Sequence, residues 1–170
     1  LLNDQVIAAH WLLMQKKVNK ILILDLDVHQ GNGTAALCAN LANIFTFSMH
    51  GRNNYPLRKE HSDVDIELDD GTKDAAYLYQ LKEGLDNIMN SFEPEFIFYQ
   101  AGVDVLESDK LGRLNLSLDG CKERDAIVFD LSRQLDVPIV TTMGGGYSKE
   151  INTIVEAHAN TYRVGYDIRS

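Results

Sequence analysis

The sequence predicts an α/β fold built on a mainly parallel sheet, and three observations carry that prediction. Short, largely apolar runs recur at residues 21–24, 44–49, 96–100 and 139–143, as expected of strands buried on both faces. Segments with helical 3–4 spacing separate them. Each run finishes in a distinctive polar or glycine-rich stretch, at residues 25–29, 48–50, 100–104 and 144–147. Open parallel sheets bind ligands beyond the carboxyl ends of their strands, so the four stretches are expected to share one site.

Taken in order, residues 5–17 suit an amphipathic helix with Asn3 or Asp4 as N-cap and Lys16 and Lys17 at its C-terminal end. A strand over 21–26 follows, then a helix over 34–42 and a strand over 44–49. A polar loop through 52–60 carries Tyr55-Pro56. Residues 64–68 form a short strand, with Val64, Ile66 and Leu68 alternating with acids. Thr72 caps the longest helix, in which Leu78, Leu81, Leu85, Ile88, Met89 and Phe92 hold the 3–4 spacing and Pro94 marks the stop. After the strand at 96–100, a helix over 119–135 leads to Pro138 and the strand at 139–143. A last helix spans 148–160, and residues 162–166 form a closing strand. No repeat or linker divides the chain, which reads as part of a single domain over residues 1–170.

The 170 residues suffice for a domain burying about 70% of its unfolded surface. A net charge of −9 and the lack of a basic run argue against direct binding of nucleic acid or an anionic membrane. No run approaches a membrane span, and no signal-like segment is present. Cys38 and Cys121 belong to no Cys-x-x-Cys pair and read as reduced thiols of a cytoplasmic protein, with the nucleus as the alternative in a eukaryote. The sequence sets no oligomeric state.

The chemistry is densest after the first strand. Asp25, Asp27 and His29 alternate with apolar residues, so extended backbone points all three the same way. Buried unpaired anions are costly, and a divalent metal supplies the compensating charge; solvated acids capping a strand end are the alternative. Asp104 follows its strand through a small-residue turn and completes an O,N,O set with Asp27 and His29, suited to Zn²⁺ or Fe²⁺; alone it reads as a turn acid. Gly144, Gly145 and Gly146 bring backbone close to the site and aim Tyr147 into it, where a phenol can donate to a developing oxyanion. A phosphate cradle at the next helix is the competing reading of those glycines.

These strings resemble the histone deacetylase superfamily, zinc-dependent amidohydrolases of the arginase-like fold. The resemblance rests on Asp25-Leu-Asp-Val-His-Gln-Gly-Asn-Gly33, Ser48-Met-His50, Gln100-Ala-Gly-Val-Asp104, Leu111-Gly-Arg-Leu-Asn-Leu-Ser117 and Gly144-Gly-Gly-Tyr147, in the family's order. Gln30, where many members carry a second His, and the Leu2-Asn3-Asp4-Gln5 start are most similar to the class IV branch. The resemblance implies a three-layer α/β/α architecture, here the C-terminal portion of a catalytic domain and incomplete at its N-terminus. It implies zinc on Asp27, His29 and Asp104, with Tyr147 polarising the scissile carbonyl. Asp25 matches an acid that orients a catalytic His and shares a structural potassium ion with Ser48 and Met49. Asn32 matches the support of a second catalytic His. Tyr55 falls where the family places a wall of the acyl-lysine channel, and Gly145 and Gly146 border the substrate.

The implied activity is hydrolysis of an N-acyl-lysine amide, with an acyl-lysine peptide or a small acylated amine as substrate. An acetylpolyamine deacetylase, a non-catalytic interaction domain retaining the fold and a binuclear ureohydrolase are the alternatives. The family's paired active-site histidines are absent from these 170 residues, so the chain by itself is expected to be inactive. His10, His61 and His158 have no motif around them and read as core or surface residues; His50 lines the site or supports it.

Overall fold

The structure, a computed structural model, describes residues 2–169, so Leu1, which opens the resemblance, lies outside the described residues. Its elements are α1 (Asp4–Met14), β1 (Ile21–Asp25), α2 (Asn32–Cys38), β2 (Ile44–Gly51), β3 (Val64–Leu68), α3 (Asp74–Met89), β4 (Phe96–Gly102), α4 (Leu118–Gln134), β5 (Ile139–Gly144) and α5 (Ile151–Arg169). The strands form one sheet in the order β3-β2-β1-β4-β5, every pair parallel.

The pleat of β1 shows why the fold has three layers. Leu22 and Leu24 join the core beneath α3, α4 and α5, whereas Ile21 and Ile23 pack with Val6, Ala9 and Cys38 of α1 and α2. All four are essentially inaccessible, so β1 has helices over both faces, as a continuously apolar strand requires. From β1 the chain runs outward to β2 and β3, then returns to β4 on the other side of β1 and continues to β5. The strand order therefore reverses between β1 and β4. The loops after those two strands diverge there and open the crevice in which such sheets bind ligands. No helix among the described residues is long and apolar enough to cross a membrane.

Local sequence accounts for most boundaries. Asn3 caps α1, its side chain accepting from the Val6 amide at 3.0 Å. Ser117 caps α4 by accepting from the Gly120 amide at 2.9 Å. Other expectations need correction. The expected closing strand at 162–166 is part of α5: Ala157, Thr161 and Val164 keep a buried 3–4 spacing through it, which outweighs the local alternation of Tyr162, Val164 and Tyr166. That helix begins at Ile151, not at residue 148. Helix α2 spans Asn32–Cys38 rather than 34–42, because Ala39 is extended (ψ 126°) and Asn40 adopts φ 67°. Lys16 at φ 52° likewise ends the first helix before residue 17. Thr72 does not cap α3; its hydroxyl donates back to the Asp69 carbonyl at 2.7 Å, and Lys73 holds the N-cap position.

Candidate metal centre and its surroundings

Strand β1 ends at Asp25, so the expected extended run through His29 is replaced by two side-chain-driven bends. Asp25 Oδ1 accepts from the Asp27 amide at 3.1 Å, and Asp27 Oδ1 accepts from the His29 amide at 2.9 Å. Each carboxylate thus closes a turn two residues ahead, the habit of Asp in loops. These successive turns, rather than strand alternation, gather the polar side chains. Asp104 arrives from the end of β4, fully buried, and its Oδ1 accepts from the Val28 amide at 3.0 Å.

The structure brings together Asp27, His29 and Asp104, whose donor atoms lie within 4.8 Å of one another. His29 Nδ1 stands 3.0 Å from Asp27 Oδ1 and 3.2 Å from Asp104 Oδ2. A single Nδ1 proton serves one oxygen at a time, and the shorter bond goes to Asp27. Asp104 Oδ2 is then buried with no hydrogen bond. The carboxylates of Asp104 and Asp27 push the His29 pKa up to about 10. Burial raises the Asp104 carboxyl and, more strongly, that of Asp25, to which the Asp27 charge adds. Two carboxylates and an imidazole converging on an unsatisfied buried oxygen fit a divalent cation, which takes this donor set and offsets the repulsion.

Glycines make room for the carboxylates. A Cβ on Gly145 would overlap the Asp104 carboxyl, and the residue adopts φ +59°. A Cβ on Gly102 would meet Asp27 Oδ2 at 2.5 Å and Asp27 Cα at 2.7 Å. Gly146, at φ +105°, continues the turn toward Tyr147. The Tyr147 side chain is 46% exposed, at the rim rather than in the core. Partial burial and the charges of Asp104, Asp27 and Asp109 raise its pKa and keep the phenol protonated. Its backbone is held from outside the motif: Asp109 Oδ2 accepts from the Tyr147 amide at 2.6 Å, while Asp109 Oδ1 accepts from the Leu111 and Gly112 amides, each at 2.8 Å.

Asp25 and Ser48 are register partners on β1 and β2. The Ser48 hydroxyl accepts from the Gly31 amide at 3.2 Å and lies 3.0 Å from His50 Nδ1; Met49 is fully buried beside them. His50 is inaccessible, its Nε2 has no hydrogen bond, and burial lowers its pKa. It supports β2 from within. Gln30 is a tie rather than a ligand: its Nε2 donates to the Glu60 carbonyl and Asp65 Oδ1 at 2.8 and 2.9 Å, and its Oε1 accepts from the Glu60 amide at 2.9 Å.

Tyr55 is 70% exposed on the 52–60 loop. Asn32 is half-buried at the first position of α2, its amide donating to the Gln30 carbonyl at 2.8 Å. His10 and His61 are exposed. His158 was not expected at the site, yet its ring lies beside the Gly145–Gly146 turn with Nδ1 buried and unpaired, and burial lowers its pKa. The largest omission is Arg124 with Asp125, both fully buried in α4 directly behind the turns that carry Asp27 and Asp104. Their signal was present: 121, 124, 125, 128 and 132 share the buried stripe of α4, where a charged pair is out of place.

Comparison with known proteins agrees with this fold. The family model described as "Histone deacetylase domain" matches residues 1–162. An uncharacterised protein of Picosynechococcus sp. is 37% identical over 168 residues, covering 99% of this chain and 56% of that protein. Histone deacetylase 2 of Arabidopsis thaliana is 32% identical, with 95% of this chain and 43% of that protein covered. Among solved structures, the acetylpolyamine aminohydrolase of Burkholderia pseudomallei superposes with a TM-score of 0.80 at 24% identity, over 97% of this chain and 49% of that one. A deacetylase homologue from Aquifex aeolicus gives 0.75 at 24% identity, over 91% and 44%. The chain thus spans about half the length of the relatives it matches.

Proposed function

The chain belongs to the histone deacetylase family, and from that premise we propose that it forms the C-terminal portion of a deacylase catalytic domain acting on an N-acyl-lysine amide. The observation that carries this reading is the convergence of Asp27, His29 and Asp104 where the strand order reverses, with Asp104 Oδ2 unsatisfied. The three side chains would hold Zn²⁺, with Fe²⁺ as the alternative. Bound there, the ion supplies Lewis-acid chemistry, polarising the acyl carbonyl and acidifying water. Tyr147 donates its phenolic proton in a hydrogen bond to the developing oxyanion, and its raised pKa keeps that proton in place. Asp109 fixes the Tyr147 backbone, and Gly145 lets the turn pass over Asp104.

A potassium ion near Asp25, Ser48 and Met49 belongs to the same proposal. The register pairing of Asp25 with Ser48, which sets the two residues side by side on adjacent strands, supports it. Asn32, half-buried at the start of α2, is proposed to orient a catalytic His, and Tyr55 to wall the substrate channel. The class IV branch is proposed from Gln30, at the position where many members carry a second His. No His-His pair occurs in the 170 residues, so the water proton must pass to a base that this chain does not supply. The two free, buried cysteines support a reducing compartment, cytoplasmic or nuclear.

Binding of a hydroxamate on a lysine-length alkyl chain tests the reading without needing that base, because a hydroxamate chelates the metal directly. Calorimetry on the Zn²⁺-loaded chain should show binding that is lost in Asp104→Asn and weakened in Tyr147→Phe. Equal affinity in all three proteins contradicts it. Competition by an acyl-lysine peptide against an acetylated polyamine separates the two substrate classes.

A further inference from the structure

We propose that Arg124 is a positioning residue for the cluster of Asp27, His29 and Asp104, setting the distance between the two turns that carry its carboxylates. The inference rests on reading that cluster as a metal site. Arg124 is 0% exposed in the middle of α4, where an ionised side chain is expensive unless every donor is engaged. Its Nε and Nη2 donate to Asp125 Oδ1 at 2.9 and 2.7 Å. Its Nη1 donates to the Gly102 carbonyl at 2.6 Å and, more weakly, to the Leu26 carbonyl at 3.4 Å.

Those two carbonyls are well placed to control the site. Leu26 immediately precedes Asp27 just past the end of β1, and Gly102 is the last residue of β4, two before Asp104. One guanidinium nitrogen therefore bridges the backbones where the two strands hand over to the ligand turns. Asp125 holds the guanidinium in its plane and is itself pinned from two further elements. Tyr99 of β4 donates its hydroxyl to Asp125 Oδ1 at 2.5 Å, and Thr161 of α5 donates to Asp125 Oδ2 at 2.6 Å. The planar fork of arginine suits this task; lysine, a point donor, cannot engage Asp125 and both carbonyls at once. Without the bridge, mutual repulsion of the Asp27 and Asp104 carboxylates is free to spread the turns.

The test separates positioning from simple stabilisation by reading metal affinity beside unfolding. Co²⁺ is titrated into the wild-type chain, Arg124→Lys, and the paired variant Arg124→Met with Asp125→Leu, followed by visible absorption. Urea unfolding of each is measured in chelator. The paired variant removes both buried charges together, so neither is left uncompensated, although the Tyr99 and Thr161 hydroxyls lose their acceptor and some stability goes with them. Its Co²⁺ affinity should fall roughly 10- to 100-fold, the range for residues that orient ligands, in protein that the urea curve shows to be fully folded under the titration conditions. Arg124→Lys should show a smaller loss, and it decides the matter if the paired variant does not fold. Wild-type affinity in a folded variant overturns the positioning role alone. Failure of the wild-type chain to bind Co²⁺ overturns the metal reading and this inference together.

Discussion

Asp104 Oδ1 accepts the Val28 amide proton at 3.0 Å, so the end of β4 is stitched to the turn that follows β1. The bond leaves Oδ2 pointing at His29, 3.2 Å from its Nδ1, with no hydrogen bond of its own. One carboxylate thus builds the loop with one oxygen and offers the other to a ligand.

Gly145→Ala should damage both fold and site. The residue adopts φ +59°, and a methyl there would overlap the Asp104 carboxyl. Left-handed strain of this kind costs about 1–3 kcal/mol. Denaturant unfolding should register that loss, and Zn²⁺ affinity should fall with it. An unchanged midpoint would show that the turn relaxes freely.

Potassium should stabilise the fold. Melting temperature in KCl is expected to exceed that in tetramethylammonium chloride at equal ionic strength, and Asp25→Ala should erase the difference. Equal melting of the wild-type chain in the two salts removes the monovalent site from the account.

The two cysteines should be unreactive in the native state. Burial pushes both thiols up from the usual 9.0 to about 11, so almost no thiolate is available to an alkylating reagent at neutral pH. Labelling is expected only after denaturation. The sign of the linkage follows from the folded chain holding the thiol protons more tightly. The associated stability is complete below pH 9 and is lost as pH rises through about 11. Rapid native labelling at pH 7 would contradict the burial of Cys38 and Cys121.

Turnover should depend on a base from outside these residues. A chimera joining this chain to the unmatched remainder of the Picosynechococcus relative is expected to release acetate from an acetyl-lysine peptide about 10²- to 10⁴-fold faster than the chain alone, the usual contribution of a general base. Tyr147→Phe in the chimera should abolish most of the gain. Comparable rates from chain and chimera would falsify the missing-base reading.

Much of this was legible in the sequence because it is local. The apolar runs ending in Asp25, Ser48, Gln100 and Gly144 marked four neighbouring parallel strands whose ends share one edge. What escaped depended on contacts between distant segments. The gathering of Asp27 and His29 looked like strand alternation, whereas Asx turns and the amide of Val28 on Asp104 produce it. Residues 162–166 alternate like a strand, but packing of Ala157, Thr161 and Val164 keeps them helical. The buried pairing of Arg124 with Asp125 is likewise non-local, set by the Leu26 and Gly102 carbonyls and the Tyr99 and Thr161 hydroxyls around it.

Anomalous diffraction at the zinc edge, on crystals grown with one equivalent of Zn²⁺, tests the central claim most directly. The account predicts a single strong peak bounded by Asp27, His29 and Asp104, absent in Asp104→Asn. A peak elsewhere on the molecule, or none between those three side chains, contradicts it.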